Sequence, residues 1–313
     1  MKPIDPTRRD FMKITALSAA TLLLSPPLEA QTATPRRIKL GVFSKHLQWL
    51  DYNATADAVA EVGWDGIECP VRPGGHVLPD RVKDDLPAMN QALQNRGLKI
   101  LMAATNIKDA TEPFAQDILE TLQKLRIPLY RIGGWKYDER LSVPAQLQEV
   151  KKQLVTLEKA NQKLGLCAAF QNHSGTGVGA PLWDVYHIIH DMDPRAIGFA
   201  FDIGHATVEG GYAWPIHFKM ALPFTKIVIV KDFVWRKNDR GQWRVQWVPL
   251  GEGMVDRKFF TLLKDANYSG AIIQHFEYET EGATEPERRV NLLKAMKKDC
   301  ATLQRILQEE GLL

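Results

Sequence analysis

From Ile38 onward, short runs of apolar, β-prone residues alternate with longer stretches whose apolar positions recur at helical spacing. The short runs fall at 38–43, 64–69, 98–104, 129–134, 166–171, 197–202, 227–232 and 270–277. Helical stretches fall between and after them, at 54–62, 81–96, 114–125, 143–164, 182–190, 214–222, 257–265 and 285–310. Gly63, Gly97 and Gly165 stand just before three of the strands, where a glycine can end the preceding helix. Eight strands, each followed by a helix, predict an α/β chain closed into one (β/α)8 TIM barrel. No glycine-rich dinucleotide fingerprint follows the first strand, which argues against an open doubly wound sheet.

Composition leaves that picture intact. Of 313 residues, 45% are hydrophobic and 25% charged, the balance of a globular chain able to bury a large core. The formal net charge is only +3, which predicts neither a nucleic acid nor an acidic membrane surface as partner. The three cysteines, Cys69, Cys167 and Cys300, form no C-x-x-C pair and read as small buried hydrophobes.

The first residues carry a different signal. Thr7-Arg8-Arg9-Asp10-Phe11-Met12-Lys13 is followed by an apolar run over 14–24, then Pro26-Pro27 and small residues near Ala30. This resembles a twin-arginine export signal, which implies a folded, periplasmic product. The run is too short for a permanent membrane span, which needs roughly 20 apolar residues. The expected division is thus a signal and linker over 1–33 and a barrel domain over 34–313.

In a β/α barrel the reactive groups project from the C-terminal ends of the strands. Here those ends are polar: Lys45-His46, Glu68 with Arg72 and His76, Thr105-Asn106, Arg131 with Trp135-Lys136, Gln171-Asn172-His173, Asp202-x-x-His205, Lys231-Asp232 and His275-x-Glu277. Because side chains alternate along a strand, His173 shares a face with Gln171, and His275 with Glu277. If Asp202 points into the barrel mouth, then Asp202, His173, His275, Glu277 and Lys231 converge there. Carboxylate and imidazole together suit a divalent ion such as Mn, Mg, Zn or Fe. Glu68 and Arg131 read as groups that bind hydroxyls or tie strand ends together; Trp135 reads as a platform for a sugar ring or a packing residue. Asp202 also suits a helix cap, and Lys231 with Asp232 an internal ion pair. The run from Trp235 to Trp247, with turn residues Asn238 to Gly241, predicts a β-hairpin after the seventh strand.

The motifs Gln171-Asn172-His173-Ser174-Gly175, Phe201-Asp202-Ile203-Gly204-His205, Val230-Lys231-Asp232 and Val248-Pro249-Leu250-Gly251-Glu252-Gly253 make the chain similar to the xylose-isomerase-like barrels, which include sugar phosphate isomerases and epimerases. The resemblance runs from about Ile38 to Glu279. It implies one divalent ion held at the ends of the fifth to eighth strands, with Asp202 as one ligand, His275 or Glu277 as another, and His205 touching substrate. Two positions depart from it: Gln171 replaces a glutamate, and Ile229 replaces a histidine. An amide cannot serve as a general base, and an isoleucine cannot ligate. A ligand set of Asp202, His275 and Glu277 with Gln171 or His173 is therefore the expectation, with His173, His205 and Lys231 as catalytic groups. The expected activity is that of an isomerase, epimerase or lyase on a small carbohydrate or keto-sugar, by proton abstraction next to a carbonyl. Elimination or hydration of a 3-keto-glycoside and a non-catalytic sugar-binding barrel are the rival readings.

Overall fold

The computed structural model describes residues 38–313; the segment expected to be an export signal and linker lies outside them. Eight parallel strands close into a barrel: β1 (Leu40–Phe43), β2 (Gly66–Pro70), β3 (Lys99–Ala104), β4 (Leu129–Arg131), β5 (Cys167–Gln171), β6 (Ile197–Asp202), β7 (Thr225–Val230) and β10 (Ala271–Gln274). Sequence neighbours pair throughout, and β10 closes the ring between β7 and β1. Around it pack α1 (Tyr52–Val62), α2 (Val82–Gln94), α3 (Ala115–Lys124), α4 (Val143–Leu164), α5 (Leu182–Ile189), α6 (Ile203–Gly210), α7 (Trp214–Ala221), α8 (Lys258–Asp265) and α9 (Glu285–Glu309). Gly63 and Gly165 take left-handed conformations, with φ of 99° and 67°, at the ends of α1 and α4. α9 begins with a reciprocal capping box between Thr284 and Glu287.

Two layers of apolar packing follow from strand alternation. The larger cluster lies between strands and helices, and a smaller one fills the barrel with Phe43, Met102, Ala104, Ala169, Ala200, Ile227, Ile229 and Ile273. Ala169 and Ala200 precede Gln171 and Asp202 by two residues, so short side chains underlie long polar ones on the same inward faces. The plug is hydrocarbon below and polar at the mouth.

Three details differ from expectation. β4 is only three residues long, and β10 stops at Gln274, so His275 and Glu277 lie beyond the strand although His275 N still bonds to Val230 O at 3.0 Å. α6 is an extra helix: its eight residues are too few to show a period, and Gly204 within it lowers its propensity. Asp232 does not pair with Lys231. Its carboxylate accepts backbone N–H bonds from Phe233, Gly251, Gly253 and Val255 (2.9–3.0 Å). It thereby clasps the base of the expected hairpin, β8 (Asp232–Lys237) with β9 (Trp243–Val248). Among the described residues no helix is long and apolar enough to cross a membrane.

Gln274 faces away from the barrel interior and, with Tyr278, donates to one oxygen of buried Asp299 on α9, each at 2.8 Å. Burial, opposed by the Tyr278 hydroxyl, pushes the Asp299 carboxyl up to about 6. Asp299 Oδ1 and Gln274 Oε1 have no hydrogen-bond partner. As pH rises from about 4 to about 6, the folded chain keeps a proton that the unfolded chain loses, so this group's contribution to stability falls across that window. Asp299→Asn, which supplies a permanent N–H donor, is expected to stabilise the fold at pH 8 relative to the parent, with the difference vanishing below about pH 4. Denaturant midpoints across pH measure it; a variant less stable at pH 8 would refute the idea.

Candidate active site

Seven side chains from six strand ends close a ring around the barrel mouth. Glu68, after a bulge in β2, is fully buried and accepts from Arg131 Nε at 2.7 Å and from His275 Nε2 at 2.7 Å. Arg131 Nη1 donates to Gln171 Oε1 at 2.5 Å, and Gln171 Nε2 donates to Asp202 Oδ2 at 2.9 Å. Lys231 Nζ lies 3.1 Å from the same Asp202 oxygen and 3.8 Å from Glu277 Oε1, which lies 3.9 Å from His275 Nδ1. Lys45, from the turn after β1, pairs with the other Glu277 oxygen at 2.8 Å.

Asp202 serves two purposes. Oδ1 caps α6 by accepting from His205 N at 3.0 Å, while Oδ2 faces Gln171 and Lys231. Asn172 locks the Asp202 backbone from both sides, donating to its carbonyl at 2.9 Å and accepting from its N–H at 2.8 Å. That clasp fixes where the carboxylate points.

The electrostatics follow from burial set against neighbours. Burial alone would raise the Asp202 carboxyl, but Lys231 and His205 hold it well below the usual carboxylate range. Burial likewise opposes ionisation of Glu68 and Glu277, yet Arg131 and His275 lower the first, and Lys231 and Lys45 the second. Burial drives His205 well below its ordinary value despite Asp202, and lowers His275 despite Glu68. At neutral pH the carboxylates are charged and these two imidazoles are neutral. With Lys231 donating to His205 Nε2 at 2.6 Å, the His205 proton lies on Nδ1, which donates to Ser174 Oγ at 2.7 Å. His275, donating from Nε2 to Glu68, leaves Nδ1 as the acceptor nearest Glu277.

Two cavities flank the ring. One, of about 640 Å³, is lined by Glu277, Trp247 and Tyr278; the other, of about 320 Å³, by Arg131, Trp135, Gln171, His173 and Ser174. Both volumes suit a small ligand. Arg131 lines the second cavity, and its Nη2 is buried without a hydrogen-bond partner.

The sequence-predicted residues therefore divide. Asp202, Lys231, His275, Glu277, Gln171, Glu68 and Arg131 come together in one network, with His205 bonded to Lys231. Glu68 is enclosed and positions Arg131 and His275 rather than facing a cavity. His173 is exposed, with its ring 3.9 Å from that of His205. Trp135 stacks on Phe170 at 5.4 Å, donates to Gln153 and lines the smaller cavity. His46 bonds to Phe276 O, and His76 sits beside Ser44 and Thr55; burial pushes both down to about 4. Lys45, Asn172 and Ser174 belong to the site through the partners just described. Trp247 is a further member, packed edge-on to His205 at 5.2 Å and covering Lys231 Nζ at 4.4 Å. The position of Lys45 and Asn172 at strand ends is the signal that marks them; nothing in the sequence shows which way the hairpin carrying Trp247 folds.

The expected ligand set of Gln171, Asp202, His275 and Glu277 does not fit a divalent ion. Among the described residues, no three His, Cys, Asp or Glu side chains form a group that could hold a metal. Gln171 has both ends of its amide engaged, and Asp202 and Glu277 each face a lysine. Ile229, fully buried in the interior cluster, offers no donor.

Residues 56–305 match the family described as Xylose isomerase-like TIM barrel. Among proteins of curated function none matches the chain in sequence. Among solved structures, the chain is similar to the 3-keto-D-glucoside 4-epimerase YcjR from E. coli (17% identity, 82% of this chain and 99% of that one, TM-score 0.61). It is also similar to the probable 3-DHS dehydratase AsbF from Bacillus anthracis (13%, 85% and 99%, TM-score 0.63). A third likeness is to a xylose isomerase-like TIM barrel protein from Mycobacterium smegmatis in complex with magnesium (15%, 88% and 97%, TM-score 0.61). At such identities the likeness is one of fold, and with the match over 56–305 it establishes that the chain belongs to the xylose isomerase-like TIM barrel family.

Proposed function

We propose that this barrel is an isomerase or epimerase that moves a proton at a carbon next to the carbonyl of a small carbohydrate or keto-sugar. The observation that carries the reading is the Glu277 carboxylate, 23% exposed at the wall of the larger cavity and 3.8 Å from the buried Lys231 ammonium. A base beside a fixed cation is what proton abstraction next to a carbonyl requires: the carboxylate takes the proton, and the ammonium stabilises charge developing on oxygen. Lys231 has a third N–H left for that oxygen after serving Asp202 and His205. Solved structures of the same fold described as a 3-keto-D-glucoside 4-epimerase and a probable 3-DHS dehydratase add support at the level of fold.

The second reading, a lyase or hydratase acting on 3-keto-glycosides, is favoured by the asymmetry of the mouth. Of the ring's three carboxylates Glu68 and Asp202 are fully buried and Glu277 alone is partly exposed, while His173 is an exposed imidazole, an arrangement suited to one base and one acid that assists a leaving group. Incubating the protein with a panel of ketoses and 3-keto-glycosides in D2O separates these readings by NMR. Deuterium at the carbon next to the carbonyl with inversion supports epimerisation, and loss of a substituent supports the lyase. Saturable binding without exchange would leave a sugar-binding barrel and refute both.

We also propose that the chain is exported folded to the periplasm, on the strength of Arg8-Arg9 and the apolar run behind them. Replacing both arginines with lysine is expected to leave the protein in the cytoplasm, as fractionation of expressing cells would show; unchanged export would reject this route.

A further inference from the structure

We propose that the Lys231 ammonium, standing between Asp202 and Glu277, is the resident cation of this site, so that the barrel works without a metal. The inference stands on donor geometry and needs no particular substrate.

Four observations converge on it. Position is the first: Nζ lies 3.1 Å from Asp202 and 3.8 Å from Glu277, the two carboxylates on either side of the mouth. Charge is the second. Glu68 is matched by Arg131, Asp202 by Lys231, and Glu277 by Lys45 as well as Lys231, so the ring offers no surplus of negative charge to draw in a dication. The third is Gln171, which donates from its amide to Asp202 and accepts from Arg131. A glutamate there would set two carboxylates against each other, so the amide belongs to a network built around lysine. The fourth is the lone pairs. His205 Nε2 accepts a hydrogen bond from the lysine ammonium, and Ile229, inward on β7 two residues before Lys231, supplies only hydrocarbon to the interior cluster.

Trp247 completes the arrangement. Its ring lies 4.4 Å from Nζ, a cation–π contact that holds the ammonium after much of its water has been removed. An incoming ion would have to displace Nζ from Asp202, His205 and Trp247 together. A dication also brings open coordination positions for substrate oxygens, whereas the ammonium brings one remaining N–H, so this site grips a single oxygen.

The test uses full-length protein purified without chelator. Its metal content, from plasma mass spectrometry, is expected to fall far below one ion per chain, and its thermal midpoint to stay put with EDTA or with millimolar MnCl2, MgCl2 or ZnCl2. Lys231→Ala, which uncovers Asp202 and Glu277, is expected to gain a midpoint rise with Mn²⁺ that the parent lacks, because a ligand that binds only the folded state stabilises it. One tightly held ion per parent chain, or a parent midpoint that rises with Mn²⁺ as much as that of Lys231→Ala, overturns the proposal. If Lys231→Ala does not fold, the parent's metal content and its response to Mn²⁺ decide alone. Neither readout involves turnover, so a failed search for substrate leaves the result standing.

Discussion

Asp202→Ala is expected to destabilise the fold by about 3–5 kcal/mol, the cost of leaving a buried charge without its partner. Lys231 is almost fully enclosed, and with Asp202 gone its nearest carboxylate is Glu277, 3.8 Å away. The same change removes the cap of α6 and the acceptor for Gln171 Nε2. Asp202→Asn keeps the cap but removes the carboxylate nearest Lys231, so its loss should fall between zero and that of Asp202→Ala. Because Asp202 in the fold is held below its ordinary value, its contribution is present above about pH 4 and fades as the pH falls further. Guanidinium unfolding at pH 7 and pH 3 measures both effects: the parent and Asp202→Ala should differ widely at the first and somewhat less at the second, because the folded carboxyl is still ionised at pH 3. A loss under about 1 kcal/mol at pH 7 would mean that the pair contributes no more than an exposed one.

Glu277→Gln is expected to slow deuterium exchange next to the substrate carbonyl about 10²–10⁴-fold, the usual worth of a positioned general base, while leaving ligand affinity within a few-fold. The amide keeps the size and one acceptor oxygen for Lys45 but cannot take a proton. Lys231 and Lys45 keep Glu277 ionised below the ordinary range, so the parent's exchange rate should hold through pH 5 and fall only in more acidic solution. NMR exchange rates and calorimetric affinities, taken on parent and variant, distinguish a lost base from a lost contact. Equal rates in both would remove Glu277 from the chemistry.

The barrel was legible because its cause is local: eight apolar runs set off by helical periods, three of them announced by glycines that end helices. The site was legible to the extent that strand alternation dictates direction, which placed Glu68, Arg131, Gln171, Asp202, Lys231 and His275 at one mouth. Partnerships were not legible, since they depend on closing the ring. Lys231 chose Asp202 on β6 over its chain neighbour Asp232, whose carboxylate was needed by four backbone N–H groups. Lys45 and Glu277 meet across 232 positions of chain. Gln171 shows the limit best. Read alone it is a candidate ligand standing in for a glutamate, whereas in the fold its amide joins an arginine to an aspartate.

The Asp232 clasp makes the hairpin a detachable module. All four of its bonds go to the root of the excursion, at 233 and 251–255, and none to the outer strands or the tip at 238–241. Phe233, Trp235, Val245 and Trp247 share one face of the ribbon, running from the buried root toward solvent. Evolution, or an engineer, can therefore lengthen, shorten or repaint the ribbon beyond Trp235 and Val245 while Asp232 keeps Trp247 seated over Lys231. What the mouth admits becomes separable from the machinery beneath it.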